Sequence, residues 1–202
     1  MAVARLRAAA SAESAPARLA EVVIAIVLVV SVAFGAGDQY LGSLTGSGHL
    51  WAAGWSSDVS LLSAPWLVLP FLAGATQRSP RRAALLGLAC TYAALLGYGL
   101  MTLSPVEHAH LTAATVRGFL VSERAVLVGG IVTGPLFGWF GQQWRTRRAI
   151  AGALVTAAAL CLEPLARRAV LRPIDDRSVW LAEVAAGLAF GVAVLISRCP
   201  SA

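Results

Sequence analysis

The chain has 202 residues, of which 58 % are hydrophobic and 13 % charged, and its mean hydropathy is +0.74. A soluble globular domain carries about 25 % charged residues, so this composition excludes an ordinary water-soluble fold and favours a lipid environment. The formal net charge is +6, and every basic residue is an arginine. Because the arginines stand in short turns beside apolar segments, we attribute them to membrane orientation and expect no nucleic-acid partner.

The chain begins with a basic leader, residues 1–18, which we expect to be disordered. Residues 19–36 form the first apolar run. A helix of roughly 20 such residues crosses a hydrocarbon core about 30 Å thick. A basic region followed by an apolar one is also typical of a secretory signal. Because more apolar runs follow, we interpret it as an uncleaved signal-anchor.

Five further apolar runs predict that residues 19–198 form one all-α polytopic membrane domain, a bundle of about six transmembrane helices. The expected spans cover residues 19–36, 59–76, 83–103, 125–141, 149–166 and 179–197. Between the third and fourth spans, the segment 104–107 (SPVE) has the form of a capping box with proline at the first helical position. We therefore expect a short interfacial helix near 105–117, and we expect Ser122 and Glu123 to cap the fourth span.

Arginine placement predicts the orientation of this bundle. Six spans put both termini on one side, and the inner segments then carry more arginine than the outer ones. The positive-inside rule therefore predicts cytoplasmic N- and C-termini in a bacterial inner membrane. The inner arginines in this arrangement are Arg5, Arg7, Arg18, Arg78, Arg81, Arg82, Arg145, Arg147, Arg148 and Arg198.

Most acidic residues fall on or near the predicted outer side. Asp58 precedes the second span, where we expect it to act as an N-cap. Glu183 lies in the first turns of the sixth span, where the helix dipole favours an anion. Asp38 and Glu163 lie instead near the C-terminal ends of spans, where the dipole disfavours a carboxylate, so each needs water or a partner. Arg167 is a candidate partner for Glu163 because it follows at i,i+4.

The residues that often carry metal or redox chemistry do not form a recognisable pattern. His108 and His110 are two positions apart and would point to different faces of a helix, with no third ligand nearby, so we predict no metal site. We read no disulfide framework in Cys90, Cys161 and Cys199. Motifs of serine hydrolases, zinc proteases and phosphate-binding loops are absent from the sequence. We therefore expect no cofactor and lean against an enzyme.

Two prolines interrupt the second predicted span. Pro65 and Pro70 each remove a backbone donor and open the helix locally. Irregular backbone at membrane depth is tolerated only where it contacts protein or lines a wet cavity. The predicted topology places this bent helix beside Asp38 and its neighbours.

The segments 37–43 (GDQYLGS) and 60–66 (SLLSAPW) resemble a family of small multi-pass membrane proteins of high-GC Gram-positive bacteria whose function is unknown. The resemblance extends over the first five spans. It implies a multi-pass membrane protein and supplies no activity, cofactor or catalytic residue. In size and number of spans the chain is also similar to the substrate-capture subunits of energy-coupling-factor vitamin importers, which is an analogy of fold alone.

Two functional hypotheses follow. The first is a small-solute binding or transport module with an outward-facing polar pocket. The alternative is a structural or interaction subunit of a membrane complex with no ligand site, in which faces rich in small residues dock a partner subunit or a second copy. The lipid bilayer is a partner in both. The candidate ligand-binding residues are Asp38, Gln39, Tyr40, Trp66, Glu163 and Glu183.

Overall fold

The computed structural model describes residues 2–44, 55–107, 109–170 and 175–197, with backbone alone for residues 2–18 and Val170. All regular structure in these ranges is helical, which confirms the all-α prediction. The leader expected to be disordered continues the first helix. Two residues discussed above, His108 and Cys199, lie outside the described ranges, as does Arg198. The helices are α1 (Ala2–Leu44), α2 (Trp55–Ser60), α3 (Pro65–Ala75), α4 (Pro80–Thr102), α5 (Ala113–Ser122), α6 (Arg124–Arg147), α7 (Ala151–Val170) and α8 (Arg177–Ile196).

Four of the described helices are long and apolar enough to cross a bilayer, so the chain is a multi-pass membrane protein. The sequence predicts six crossings, and the predicted second and fifth spans are not among these four. They correspond to α3, which is too short, and to α7, which is long enough but carries charged residues. Helix α3 has 11 residues, a length of about 16 Å. Helix α7 has 20 residues and carries three charged side chains in its C-terminal part. The four candidate spans are Leu19–Leu44, Pro80–Thr102, Arg124–Arg147 and Arg177–Ile196.

The second predicted span is not one continuous helix. Residues 61–64 separate α2 from α3, and Pro65 is the first residue of α3. Proline is tolerated in the first turn of a helix because the N–H that it lacks would have no intrahelical partner there. The break therefore falls immediately before Pro65. Pro70 is buried within α3.

The short helix before α6 begins later than predicted. The segment expected to start it forms only a 3-10 turn, Pro105–Glu107. Helix α5 follows Thr112, whose hydroxyl accepts the N–H of Thr115 at 3.2 Å while its own N–H donates to the Thr115 hydroxyl at 2.9 Å. This reciprocal cap satisfies two free donors and so decides the start of α5. Of the two residues predicted to cap the fourth span, Glu123 occupies the N-cap position of α6 but its side chain makes no cap hydrogen bond. The hydroxyl of Ser122 donates to the carbonyl of Phe119 instead.

Glycines set the distances between α3, α4 and α6. A Cβ atom added to Gly74 of α3 would overlap the backbone of Gly138 in α6, and one added to Gly87 of α4 would overlap that of Gly134. Lipid offers no hydrophobic force to bring helices together, so close backbone approach supplies the dispersion contacts that hold them. The three helices therefore pack closely wherever these glycines face one another.

The two ends of α3 have different surroundings. The backbone carbonyl of Arg78 accepts the side-chain amide of Gln142 at 3.1 Å. The turn that contains Arg78 therefore lies beside the C-terminal part of α6, which carries Arg145 and Arg147. We call this the arginine end. Residues 61–64, which we call the helix break, lie at the other end of α3.

Candidate functional site

Glu163 caps helix α3 from another part of the chain. Its carboxylate accepts the backbone N–H of Ser63 at 2.6 Å and that of Ala64 at 2.5 Å. The first N–H groups of a helix have no intrahelical acceptor, and the positive end of the helix dipole attracts an anion. Ala64 occupies the N-cap position and its side chain makes no cap hydrogen bond. Glu163 therefore supplies the acceptor that the local sequence lacks.

Arg167 binds the other polar groups of the helix break. Its Nε donates to Glu163 at 2.6 Å, so the i,i+4 pair expected from the sequence is formed. Its Nη2 donates to the backbone carbonyl of Leu61 and, at 2.8 Å, to the hydroxyl of Ser63. Both side chains are largely buried, with 7 % and 9 % of their surface exposed. The pair thus satisfies both N–H and C=O groups that the break removes from helical hydrogen bonding.

Glu183 of α8 is buried beside this pair. Only 4 % of the residue is exposed, and neither carboxyl oxygen has a hydrogen-bond donor among the described residues. The carboxyl lies within hydrogen-bonding reach of Glu163. It also borders a largely apolar cavity of 470 Å³, which we call the α8 cavity and whose walls include Val59, Leu62 and Pro65.

Asp58 does not cap the second span, contrary to the prediction. It lies inside α2, is 4 % exposed, and its Oδ2 accepts the backbone N–H of Asp176 at 2.5 Å. Asp58 therefore anchors the start of α8. The carboxylate of Asp176 caps that helix, accepting the hydroxyl and N–H of Ser178 at 2.5 and 2.7 Å. These two hydrogen bonds hold the pKa of Asp176 below its ordinary value.

Asp38 lies on the other side of the break, in α1. It is half-buried, and its side chain lies within hydrogen-bonding distance of that of Trp66, the second residue of α3. The indole ring packs edge-on against Phe34 and Tyr98, with ring centroids 5.4 and 6.2 Å apart. Two acids from different helices thus hold neighbouring residues at the start of α3.

A second cavity, of 340 Å³, lies beside the break and is lined by Trp66 of α3. We call it the Trp66 cavity. Aromatic faces, hydroxyl groups and one acid contribute to its walls, and Leu62 belongs to the walls of both cavities. The polar and aromatic lining residues are Ser60, Ser63, Trp66, Thr91, Tyr98, Glu123 and Thr133.

The candidate residues named from the sequence fall into two groups that the break joins. Glu163 and Glu183 lie together on the α7 side, and Asp38 lies with Trp66 on the α1 side. Gln39 is half-buried and Tyr40 is 45 % exposed, and neither lines the two cavities. Sequence reasoning missed the contact of Arg167 with the break and the hydroxyl lining of the Trp66 cavity. The i,i+4 spacing of Glu163 and Arg167 was a sequence signal for the contact of Arg167 with the break. The Ser and Thr residues that line the Trp66 cavity are scattered along the sequence and gave no signal.

The chain belongs to a family described as a family of unknown function, DUF6518, whose family model matches residues 15–202. The match extends over the apolar part of α1 and all the helices that follow. No curated protein and no solved structure matches the chain. In the described ranges, no group of three or more His, Cys, Asp or Glu side chains could hold a metal ion.

Proposed function

We propose that this integral membrane protein is a small-solute binding or transport module whose ligand site is the Trp66 cavity. The observation that carries the proposal is the helix break beside that cavity. Non-helical backbone at membrane depth is tolerated where it is buried in protein or lines a cavity, and discontinuous helices form the substrate sites of many transporters. The buried pair Glu163–Arg167 keeps the break in a defined shape, as a binding site requires.

The lining of the cavity indicates the class of solute. A volume of 340 Å³ suits a small molecule. Trp66 and Tyr98 offer aromatic faces, which attract cations and apolar rings. Glu123 adds a carboxylate, and Thr91 and Thr133 add hydroxyl groups. A small organic cation with an apolar body fits this combination best.

The proposal includes six membrane crossings, with α2 and α3 together as a discontinuous second crossing and α7 as the fifth. It places both termini in the cytoplasm of a bacterial cell. The arginine end supports this orientation, because two arginine-bearing turns distant in sequence lie side by side there. A reporter fused after Arg82 should read as cytoplasmic. An extracytoplasmic reading would contradict the orientation.

Thermal unfolding of the purified full-length protein tests the binding site. In a panel of small organic cations and neutral polar solutes, a cation with an apolar body should raise the melting temperature, because a ligand that binds only the folded state stabilises it. Trp66→Leu and Glu123→Gln should each reduce that shift. Trp139→Leu is the matched control, since Trp139 is a 40 % exposed tryptophan of α6 that does not line the cavity.

Two results would overturn the proposed site. One is a solute-induced shift that Trp66→Leu, Glu123→Gln and Asp38→Ala all leave unchanged. The other is the absence of any shift together with a membrane subunit that co-purifies in fixed ratio, which would instead favour the structural or interaction role.

A further inference from the structure

Glu183 differs from the other described acids in its surroundings. Asp58 accepts one backbone N–H, and Glu163 and Asp176 each accept two or more hydrogen bonds. Among the described residues, Glu107 has one buried carboxyl oxygen without a donor, whereas Glu183 has both. An ionised carboxylate buried in this way is costly, because it loses its hydration and gains no compensating partner. The surroundings of Glu183 therefore favour a neutral carboxyl group.

Glu163 supplies the acceptor that a neutral Glu183 needs. Its carboxylate already accepts two backbone N–H groups and the Nε of Arg167, which fixes it as the ionised partner. The two carboxyl groups lie within hydrogen-bonding reach of each other. A carboxylate is an acceptor only, so a hydrogen bond between two carboxyl groups requires one proton.

We propose that Glu163 and Glu183 form a proton-binding site, in which Glu183 carries one proton and donates it to Glu163. Arg167 then balances the single negative charge of the pair, and the cluster is neutral. From α7, the charged groups that face Glu183 are Glu163 and Arg167. From α2, Asp58 is engaged with the N–H of Asp176 at the start of α8.

Proton loss has a structural consequence at this site. Release of the proton to the outer water leaves two adjacent carboxylates and a net buried charge of about one unit, which like-charge repulsion disfavours. The repulsion acts on the same carboxylate that holds Ser63 and Ala64, so it loosens the cap of α3. Because Leu62 belongs to the walls of both cavities, movement of the break changes both. The proton site does not depend on a solute. Under the proposed function, in which the Trp66 cavity binds a solute, protonation of the pair regulates that binding.

Infrared difference spectroscopy of the full-length protein tests the proton site. At neutral pH the wild type should show the C=O stretching band of a protonated carboxylic acid, and raising the pH should convert it to carboxylate bands. Both the wild type and the variant are measured in an Asp38→Asn background, because Asp38 is a second half-buried acid. There, Glu183→Gln should remove the band. Glu21→Gln should leave it unchanged, because Glu21 is an exposed glutamate of α1. A wild type without the band at neutral pH, or a band that persists in Glu183→Gln, would overturn the proposal.

The pH dependence of thermal unfolding gives a second measurement. A proton bound in the folded state and released on unfolding makes stability fall as the pH rises above the range in which an ordinary glutamate ionises. The melting temperature of the wild type should therefore fall between neutral and alkaline pH more steeply than that of Glu183→Gln. Equal slopes would contradict the proposal. Neither measurement uses a solute, so failure of the Trp66 cavity to bind one does not affect their outcome.

Discussion

The carboxylate of Glu163 accepts the backbone N–H of Ala64 at 2.5 Å, although 99 positions of sequence separate the two residues. This contact brings the C-terminal part of α7 against the N-terminus of α3. The negative end of one helix dipole disfavours a carboxylate at Glu163, and the positive end of the other compensates for it. An acid that is badly placed within its own helix is therefore well placed in the folded protein.

Removal of the Glu163 carboxylate should destabilise the protein strongly. Glu163→Ala leaves two N–H groups without their acceptor and Arg167 buried without its counter-ion, and breaking a buried ion pair in this way costs about 3–5 kcal/mol. Unfolding in mixed detergent micelles would measure the loss. The exposed Glu21→Ala should change stability by less than about 0.5 kcal/mol.

The double variant Glu163→Ala with Arg167→Ala tests the origin of that loss. Because it also removes the uncompensated charge, its loss of stability should be smaller than the sum of the two single losses. Additive losses would show that the two side chains act independently.

Gly138 should not tolerate a methyl group. A Cβ at this position would overlap the backbone carbonyl of Ala83 in α4, so α4 and α6 would have to move apart. We expect Gly138→Ala to destabilise the protein by about 1–3 kcal/mol. Gly129→Ala is the matched control in the same helix, because nothing lies within 4 Å of the position that its methyl group would take. Comparison of the two melting temperatures checks this, and equal values would contradict the close crossing.

Asp58 should stabilise the start of α8. Asp58→Ala removes the acceptor of the Asp176 N–H, and the loss of a hydrogen bond to a charged group costs about 1.5–3 kcal/mol. Hydrogen exchange should become faster at the first turn of α8. Asp175→Ala is the control, since Asp175 is exposed. If both variants exchange alike, Asp58 does not anchor this helix.

Cys90 should be protected from thiol reagents in the folded protein. It is fully buried, and its sulfur lies 2.9 Å from the hydroxyl of Ser31 in α1. In a variant that keeps Cys90 and replaces Cys161 and Cys199 by serine, a maleimide should react only as fast as the protein unfolds. Rapid labelling without denaturant would show that α1 and α4 separate readily.

The sequence predicted the features that depend on neighbouring residues. Hydropathy identified the class of protein, and four of the six spans that it predicted are long candidate spans in the structure. The i,i+4 spacing identified the Glu163–Arg167 pair. The prolines at positions 65 and 70 indicated that the second span would be irregular. Caps were predicted less well, because several residues near each helix end could supply the hydrogen bond. Thr112 rather than Ser104 begins α5, and Asp58 anchors α8 rather than capping its own helix.

The sequence by itself therefore determined that this is a helical membrane protein, since apolar length and charge spacing are local properties that lipid selects directly. Only the tertiary structure decided what its buried acids do. The partner of Glu163 is the N-terminus of a helix about a hundred residues away. The two meet only because close helix contacts bring α7 and α8 against the break. That contact depends on the packing of whole helices, and no short stretch of sequence encodes it.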